Sequence, residues 1–325
     1  MRIVVTGSIA YDYLMVFPGH FKDHILPDKV HVLSVSFLVE SMRRQRGGTA
    51  PNIAYNLALL GEHPAVMGTV GEDFAEYRLW LEEQGIDTGA IKPIPDEFTS
   101  SCFINTDLQD NQITAFYPGA MAHAATLSLK ASNLQDADLV IIAPNDPAAM
   151  ARYAAECREL DIPYLYDPSM QAPRMSAEEL RAGFSGAKVL TGNDYEFSMM
   201  AEKLGISESR LRDLVPITVM TRGEQGASIY ADGEEFTIPA ARPRQVVDPT
   251  GAGDAFRAGL VKGMLYRLPW DVVGRLASLS AVYAVEQGGT QQHHYTLQQF
   301  VERYRENFGP APEVEALLEA RSVEA

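Results

Sequence analysis

Residues 248–260 read Asp-Pro-Thr-Gly-Ala-Gly-Asp-Ala-Phe-Arg-Ala-Gly-Leu, and the rest of the chain can be understood from this stretch. A turn with glycine at 251 and 253 runs into apolar residues at helical spacing, beginning at Phe256 and Leu260. Glycines let consecutive backbone N–H groups point into one concavity, and the following helix adds the positive end of its dipole. The stretch therefore predicts an anion-binding site at a helix start.

Asp254 is the unusual member of this stretch, because a carboxylate at such a helix start is either a cap or a reactive group. Capping alone does not require the preceding Gly-Ala-Gly. A dinucleotide-binding fingerprint needs glycine where Phe256 stands, and the Gly-Lys-Ser/Thr of a Walker A loop occurs nowhere in the chain. Both of these phosphate-binding motifs are thus excluded.

Further segments match one known family in the same order along the chain. They are Met1–Asp12, Gly47-Gly48 with Asn52, Asn193 with Glu196, and Thr221-Arg222-Gly223 with Gly226. With residues 248–260, they make the chain resemble the ribokinase-like (phosphofructokinase B) family of carbohydrate and nucleoside kinases over nearly its whole length. Within that family it looks most like the bacterial adenosine kinases, on Ser34–Leu38, Phe116–Met121, Asn145–Pro147 and Asp167–Ser169 with Gln171.

Composition limits the partners of the chain. Its 325 residues are 46% hydrophobic, which is enough for a sizeable core, and they carry a formal charge of −16. This acidic balance argues against a general nucleic-acid or anionic-membrane surface, since both need excess Lys and Arg. A nucleotide would have to be held by local donors and a metal ion.

Cysteine usage and hydropathy favour a cytoplasmic protein. Cys102 and Cys157 can form at most one disulfide, neither has zinc-ligand spacing, and we expect both to be reduced. We see no charged and apolar leader at the N-terminus and no apolar run approaching 18 residues. We therefore expect no membrane span.

Strand and helix patterns alternate after residue 47, with short connections. Predicted strands lie at 2–9, 64–71, 138–143, 163–166, 187–190, 217–221 and 227–230, and predicted helices at 74–84, 146–160, 252–267, 270–286 and 296–308. Such βα units indicate a mostly parallel sheet with helices on both faces. The acidic tail, residues 310–325, is predicted as a last helix or a frayed end.

The resemblance implies a domain division. It predicts a three-layer α/β/α ribokinase-like domain from residues 1–12, 42–97 and 118–325, and a small β-sheet lid from residues 13–41 and 98–117. The pattern alone indicates only a β-rich insertion with few helix signals at residues 13–41. Because exposed lid edges often pair between subunits, we expect a homodimer formed through the lid.

Phosphoryl transfer needs a donor nucleotide, neutralisation of the moving charge, an in-line hydroxyl and an acceptor for its proton. The amides of Gly251, Ala252 and Gly253 are the candidates for stabilising the developing charge, and Asp254 is the candidate base. A helix cap is the alternative role for Asp254.

The nucleotide side is assigned mainly from the resemblance, which implies ATP as the donor. It places ATP against Asn193, Thr221, Arg222, Gly223, Gly226 and Gly253. Glu196 is expected to act on Mg²⁺ through water, because magnesium prefers oxygen ligands and keeps several waters. An ordinary helix start is the alternative for Asn193 and Glu196. The family also allows a monovalent cation such as K⁺ near Asp248, Thr250 and residues 286–290.

The acceptor side is likewise assigned by resemblance to a nucleoside. Its predicted ligands are Ser8, Asp12, Ser36, Gly48, Asn52, Phe116, Gln171 and Asp254. A carboxylate at Asp12 suits a vicinal diol, and Phe116 would stack on the base, with lid packing as its alternative role. The adenosine kinases tend to supply a second aromatic where Cys102 stands here, with Phe103 beside it. A one-residue step in a strand reverses the side-chain direction, so the side facing the base stays open.

Three functions remain. The first is an ATP-dependent kinase acting on the 5′-hydroxyl of a purine nucleoside, adenosine to AMP, as in purine salvage. The second is a sugar or sugar-phosphate kinase of the same family, favoured if Arg43, Arg44 or Arg46 reaches the acceptor; a solvated face is the alternative for these arginines. The third is a non-catalytic nucleoside-binding protein. Arg174 is a further candidate cation on the phosphate side, with a surface role as its alternative.

Overall fold

The computed structural model describes residues 1–25, 27–32 and 34–320. Its strands are β1 Ile3–Thr6, β2 Ala10–Val16, β3 Ser41–Gly47, β4 Ala65–Val70, β5 Ile91–Pro93, β6 Ser100–Thr106, β7 Gln112–Tyr117, β8 Leu139–Ile142, β9 Tyr164–Tyr166, β10 Val189–Asn193, β11 Ile217–Thr221, β12 Ala227–Ala231 and β13 Glu234–Ile238. Its α-helices are α1 Thr49–Leu59, α2 Ala75–Glu83, α3 Pro147–Glu159, α4 Ala177–Phe184, α5 Asp194–Leu204, α6 Glu208–Arg212, α7 Ala252–Leu265, α8 Trp270–Val285, α9 Leu297–Phe308 and α10 Pro312–Ala320.

The large sheet has the strand order β13-β12-β11-β10-β9-β8-β1-β4-β5. Strands from β5 to β11 run parallel, and β12 and β13 add an antiparallel edge. The chain leaves β1 towards β4 on one side and returns to β8 on the other, so β1 lies at a topological switch point. Ligands of open α/β sheets bind beyond the carboxyl ends of strands at such points.

Two apolar cores lie on the two faces of this sheet, because successive residues of a strand point to opposite sides. Val5 belongs to the core that contains Ile53 of α1 and Leu260 of α7, whereas Val4 belongs to the core that contains Tyr153 of α3 and Phe197 of α5. Burial on both faces explains why β1, β4 and β8 are apolar without a clear alternation.

A second, four-stranded sheet has the order β3-β2-β6-β7, with β2 and β6 parallel and the other pairs antiparallel. Its register aligns Gln45, Asp12, Cys102 and Phe116 in one row across the sheet. Residues in one row share a face, so these four side chains lie on the same side. The predicted mostly parallel sheet with helices and a small additional sheet is confirmed.

The segment between β2 and β3 differs from the strand-like pattern that we predicted for residues 13–41. Beyond Val16 it forms 3₁₀ turns at Phe21–Asp23 and Pro27–Val32. Phe17, Phe21 and Phe37 pack against one another there. The strand prediction is wrong for this segment because its aromatic residues form a local cluster instead of pairing in a ladder.

Two sequence expectations concern the whole chain. Cys102 and Cys157 are both free thiols. Within the described ranges, no helix is long and apolar enough to cross a membrane. Helix α10 covers part of the predicted tail, and residues 321–325 lie outside the described residues.

Candidate active site

The turn before α7 packs against the loop that follows α8. Gly251 has φ +81°, a left-handed conformation that favours glycine, and a Cβ there would lie 2.9 Å from Cγ2 of Thr290. The carboxylate of Asp248 accepts the N–H of Thr250 at 2.9 Å and that of Gly289 at 3.3 Å. The N–H of Ala252 donates to Pro249 at 3.2 Å, so this amide of the predicted cradle is engaged within the turn.

Asp254 lies in the first turn of α7 and is only 7% exposed. Its Oδ2 accepts Nδ2 of Asn52 at 2.9 Å, and its Oδ1 lies 3.3 Å from a guanidinium nitrogen of Arg257. Burial raises the pKa of Asp254 to about 6, with Asp167 and Asp12 adding to the rise and Arg257 and Asn52 opposing it. A base with a pKa near neutrality is well matched to proton transfer at neutral pH.

Asp12, on β2, belongs to the same acidic site. Burial raises its pKa to about 6, and the charge of Asp248 adds to this rise. A Cβ on Gly47 would overlap the Asp12 carboxylate, so a side chain there would displace this carboxylate. The fold therefore brings Asp12, Asn52 and Asp254 together from three distant segments.

Arg257 is a member of this site that our sequence reasoning missed. Its guanidinium donates to Ser169 at 2.8 Å, forms an ion pair with the fully buried Asp167 and contacts Asp254. The sequence contained one signal for this contact. Arg257 follows Asp254 by three residues in a predicted helix, and residues at this spacing are neighbours on the helix surface. One buried cation is thus shared by two buried carboxylates.

Asn193 and Glu196 form a capping box at the start of α5. Oδ1 of Asn193 accepts the N–H of Glu196, and Oε2 of Glu196 accepts the N–H of Asn193, each at 2.8 Å. Burial raises the pKa of Glu196 and the charge of Asp167 adds to it, while the Asn193 amide, Arg257 and Ser169 oppose the rise. Glu196 therefore has a capping role and also lies within electrostatic range of Asp167 and Arg257.

The next strand end continues this edge of the sheet. Thr221 is paired with Asn193 across β10 and β11. The Arg222 guanidinium donates to Ser228 at 2.7 Å, which holds it against β12. Gly223 has φ +55° and open space around its Cα, whereas Gly226, at φ +89°, lies against the backbone of Ile238 and has no room for a side chain.

Two predicted acceptor residues have packing roles at the start of α1. Oγ of Ser8 accepts the N–H of Thr49 at 3.1 Å, which caps the helix. Gly48 has φ +91°, and a Cβ there would lie 2.5 Å from the carbonyl oxygen of Ser8 and 2.6 Å from the amide of Ala10. These contacts fix the position of Asn52 one turn further along α1.

The remaining acceptor residues differ in their surroundings. Phe116 is 46% exposed in the row with Asp12 and Cys102, whereas Phe103 lies on the opposite face, with its ring stacked on Tyr13 at 4.9 Å. The register thus settles which of residues 102 and 103 shares the face of Asp12. Gln171 is buried and its Oε1 has no hydrogen-bond partner in the described part of the chain.

Ser36 is exposed in the segment before β3, and no hydrogen bond joins its side chain to the rest of the described residues. Ser36 therefore makes no side-chain hydrogen bond to Asp12 among the described residues.

The arginines of β3 divide between the two faces. Arg44 lies over the ring of Tyr11 at 4.7 Å, and Arg46 lies over that of Trp80 at 4.2 Å. Both line a cavity of about 120 Å³ on the face opposite Asp12. Arg43 is exposed and, by its strand position, lies on the face of Asp12. Arg174 is exposed.

A mostly parallel sheet with a small second sheet, and a buried acid after a Gly-Ala-Gly turn at the switch point, define the class as a ribokinase-like phosphotransferase. Residues 3–296 match the pfkB family of carbohydrate kinases, and the chain belongs to this family. It is therefore a phosphotransferase that acts on an alcohol group of a nucleoside or sugar.

Similar proteins include nucleoside kinases. The chain is 32% identical to a nucleoside kinase of Methanothermobacter thermautotrophicus, over 96% of this chain and 98% of the relative. It also matches the solved nucleoside kinase of Burkholderia thailandensis in complex with inosine, with 36% identity and a TM-score of 0.82, over 95% of this chain and 98% of that chain. The same kinase in complex with ADP-inosine matches with 38% identity and a TM-score of 0.80, over 95% and 96% of the two chains.

Proposed function

We propose that the protein transfers the γ-phosphoryl group of ATP to the 5′-hydroxyl of a purine nucleoside, with adenosine to AMP as the leading reaction. The observation that carries this proposal is the hydrogen bond from Asn52 to Asp254, in a buried acidic site that also holds Asp12. Such a reaction would return free nucleosides to the nucleotide pool, as in purine salvage in the cytoplasm.

In the proposed mechanism Asp254 is the general base. At neutral pH it is mostly ionised, because its pKa is about 6. It would accept the proton of the acceptor hydroxyl as the new O–P bond forms and the bond from the γ-phosphorus to the leaving oxygen of ADP breaks. The amides of Gly251 and Gly253, with the positive end of the α7 dipole, would stabilise the charge on the transferred group.

The small sheet supplies the proposed acceptor contacts. Asp12 would accept hydrogen bonds from the two ribose hydroxyls, since one carboxylate can serve a vicinal diol. Phe116 shares its face and would stack on the base, at about 1–3 kcal/mol. Cys102, a small residue between them, would leave room for different bases.

The charges of the site fit a magnesium ion. Asp167 and Asp254 share the guanidinium of Arg257, and the half-buried Glu196 lies within electrostatic range of it, so carboxylate charge exceeds cationic charge among these groups. Within the described residues no group of three or more His, Cys, Asp or Glu side chains could hold a metal, which suits an ion held through water and nucleotide phosphates. When bound, Mg²⁺ would neutralise phosphate charge, and Glu196 is the residue that would hold its waters. A K⁺ site beside the turn of Asp248 is a further part of this proposal.

A panel of acceptors with Mg²⁺-ATP tests the function. It contains adenosine, inosine, guanosine, ribose and fructose 6-phosphate, and we expect the purine nucleosides to be phosphorylated with the highest kcat/KM. Asp254→Asn is expected to bind adenosine normally and to lose about 10²- to 10⁴-fold in turnover. Asp161→Asn is the matched control, because Asp161 is exposed and has φ +55°, a conformation that asparagine adopts readily.

Two results would contradict the proposal. Turnover of none of the nucleosides would refute nucleoside phosphorylation, and full activity of Asp254→Asn would remove Asp254 from the role of base. Preference for fructose 6-phosphate would favour the sugar-phosphate alternative, for which Arg43, on the face of Asp12, is the candidate phosphate ligand.

We also propose a homodimer formed through the small sheet. The face opposite Asp12 carries Met42, Phe103 and Ile113, which are partly exposed large apolar residues. Exposed apolar faces of this kind are typical of subunit contacts.

A further inference from the structure

We propose that Gln291 is a positioning residue that sets the orientation of the Asn52 amide, so that Asn52 donates a hydrogen bond to Asp254. This inference rests on the proposed function of Asp254 as the base. Gln291 lies in the loop between α8 and α9, is only 3% exposed and was absent from our sequence-based candidates.

The hydrogen bonds around Gln291 determine which end of each amide carries the protons. Nε2 of Gln291 donates to Oδ1 of Asn52 at 2.7 Å and to the hydroxyl of Tyr77 at 2.6 Å. The Tyr77 hydroxyl gives its own proton to the carbonyl of Gly47 at 2.9 Å, so its oxygen can only accept from Gln291. Amide orientations follow from such networks, and this one places NH₂ of Gln291 against Asn52.

The direction of these hydrogen bonds determines which end of the Asn52 amide faces Asp254. Because Oδ1 of Asn52 already accepts from Gln291, Nδ2 is the end that faces Asp254, at 2.9 Å. A donor to a carboxylate favours its charged form. If the Asn52 amide were reversed, its carbonyl oxygen would face the carboxylate and its NH₂ would face the NH₂ of Gln291. Gln291 thus keeps the deprotonated form of Asp254 stabilised.

The loop that carries Gln291 is fastened to α1 by uncharged contacts. The Asn56 amide donates to the backbone carbonyl of Asn52 at 2.9 Å, so its Oδ1 is the atom that accepts from Nε2 of His293 at 2.8 Å. Burial lowers the pKa of His293 to about 4, and the ring is therefore neutral at neutral pH. The groups that hold Gln291 next to Asn52 therefore do not change charge near neutral pH.

The competing explanation is a purely structural role for a buried amide. The charged groups with the largest effects on the pKa of Asp254 are Arg257 on α7, Asp167 after β9 and Asp12 on β2. None of these contacts Gln291 by a hydrogen bond in the described residues, so an effect of Gln291 on Asp254 should pass through Asn52. A double-mutant cycle isolates that path.

The experiment compares wild type with Gln291→Leu, Asn52→Ala and the double variant, and with Gln291→Met, which nearly keeps the side-chain shape and removes the donor without adding a charge. We expect Gln291→Leu to lower kcat at least about tenfold, because the hydrogen bond from Asn52 to the charged Asp254 would be lost. The KM of adenosine should change much less. The acid limb of kcat/KM should move to higher pH by about one unit. In the Asn52→Ala background, Gln291→Leu should cost nothing further. Gln292→Leu, at the exposed neighbouring residue, is the matched control and should behave as wild type.

A measurement that does not depend on enzyme activity tests the role of Gln291 separately from the proposed function. The pKa of Asp254 can be followed by the carboxyl ¹³C NMR signal that disappears in Asp254→Asn, and we expect it to rise in Gln291→Leu and Gln291→Met but not in Gln292→Leu. An unchanged pKa in folded Gln291 variants, or additive losses in the cycle, would overturn the inference. A wild-type protein that phosphorylates no nucleoside would refute the proposed function instead, and the NMR titration would still decide the role of Gln291.

Discussion

Asp254 and Asp12 are two buried carboxylates whose pKa values both lie at about 6 in the folded protein. The cause is mainly burial, which disfavours the charged form. Asp254 also has two groups that favour its charge, Asn52 and Arg257. The site therefore holds acids that are ionised at neutral pH although their surroundings oppose it, a combination typical of functional sites.

The raised pKa of Asp254 has a defined effect on stability. The folded protein binds this proton more tightly than the unfolded chain, so the group destabilises the fold at neutral pH, and stability is regained as pH falls through about 6 towards the unfolded value of 3.8. We expect Asp254→Asn to have an equal or higher melting temperature than wild type at neutral pH, measured by differential scanning fluorimetry. In wild type, kcat/KM should fall as pH drops below about 6. A large loss of stability in Asp254→Asn, with none in Asp161→Asn, would contradict this account.

Arg257 should be essential for a different reason. Removing one member of a buried ion pair leaves its partner with an uncompensated charge, which lowers the free energy of unfolding by about 3–5 kcal/mol. Without Arg257, the carboxylates of Asp167 and Asp254 would be left in this way. Arg257→Met is therefore expected to lose about this much free energy of unfolding in urea. Arg305→Met is the control, because Arg305 pairs with Glu315 at an exposed site and such pairs contribute less than about 1 kcal/mol. Equal losses of free energy of unfolding in the two variants would show that the buried ion pair contributes no more to stability than the exposed one.

At the scale of elements, the register of the small sheet decides which side chains face the acceptor. Asp12, Cys102 and Phe116 lie in one row, and Phe103 lies on the other face. Alternation along β6 explains why adjacent residues have such different surroundings. The elements of the large sheet act differently, since each places its polar residues at the carboxyl end of a strand, as Asn193 and Thr221 show.

This arrangement predicts different effects for two phenylalanines. Phe116→Ala should raise the KM of adenosine by about 5- to 150-fold, which corresponds to the loss of a 1–3 kcal/mol stacking contact. Phe103→Ala should leave this KM nearly unchanged, because its ring stacks on Tyr13 on the opposite face. Steady-state kinetics with saturating ATP measures both. If Phe116→Ala lowered stability and left KM unchanged, Phe116 would be a packing residue of the lid.

For the whole molecule, the topology explains why residues far apart in sequence form one site. Parallel strands bring their carboxyl ends to one edge, and β1 lies where the chain turns to opposite sides of the sheet. Helices α1 and α7 meet across this edge, which allows Asn52 to reach Asp254. The small sheet, through β2, adds Asp12 from the other side.

The proposed homodimer is a prediction at this scale. Ile113→Glu places a charge beside Phe103 and Met42 on the face of the small sheet opposite Asp12, and we expect it to convert a dimer into a monomer in size-exclusion chromatography with light scattering. Leu214→Glu, at an exposed leucine outside the small sheet, adds the same charge and is the matched control. A wild-type monomer at all accessible concentrations would refute the dimer.

Much of the fold could be predicted from sequence, because the information was local. Helix starts such as Gly47-Gly48 and Gly251-Ala252-Gly253, and the alternation of apolar strands with helices, depend on neighbouring residues. The segment after Val16 was mispredicted, since β-prone aromatic residues can pack in a turn cluster as well as in a strand. Local preference does not decide between these outcomes.

The sequence by itself determined the family, the α/β architecture and the candidate acids Asp12 and Asp254, because motif residues in a fixed order specify turns and helix starts locally. Only the tertiary structure decided the partners of those acids. Arg257 meets Asp167, and Gln291 meets Asn52, across separations of 90 and 239 residues in the chain. The same holds for the choice between Cys102 and Phe103, which depends on strand register. Hydrogen bonds and ion pairs between distant segments depend on how the elements pack, and no local pattern contains that information.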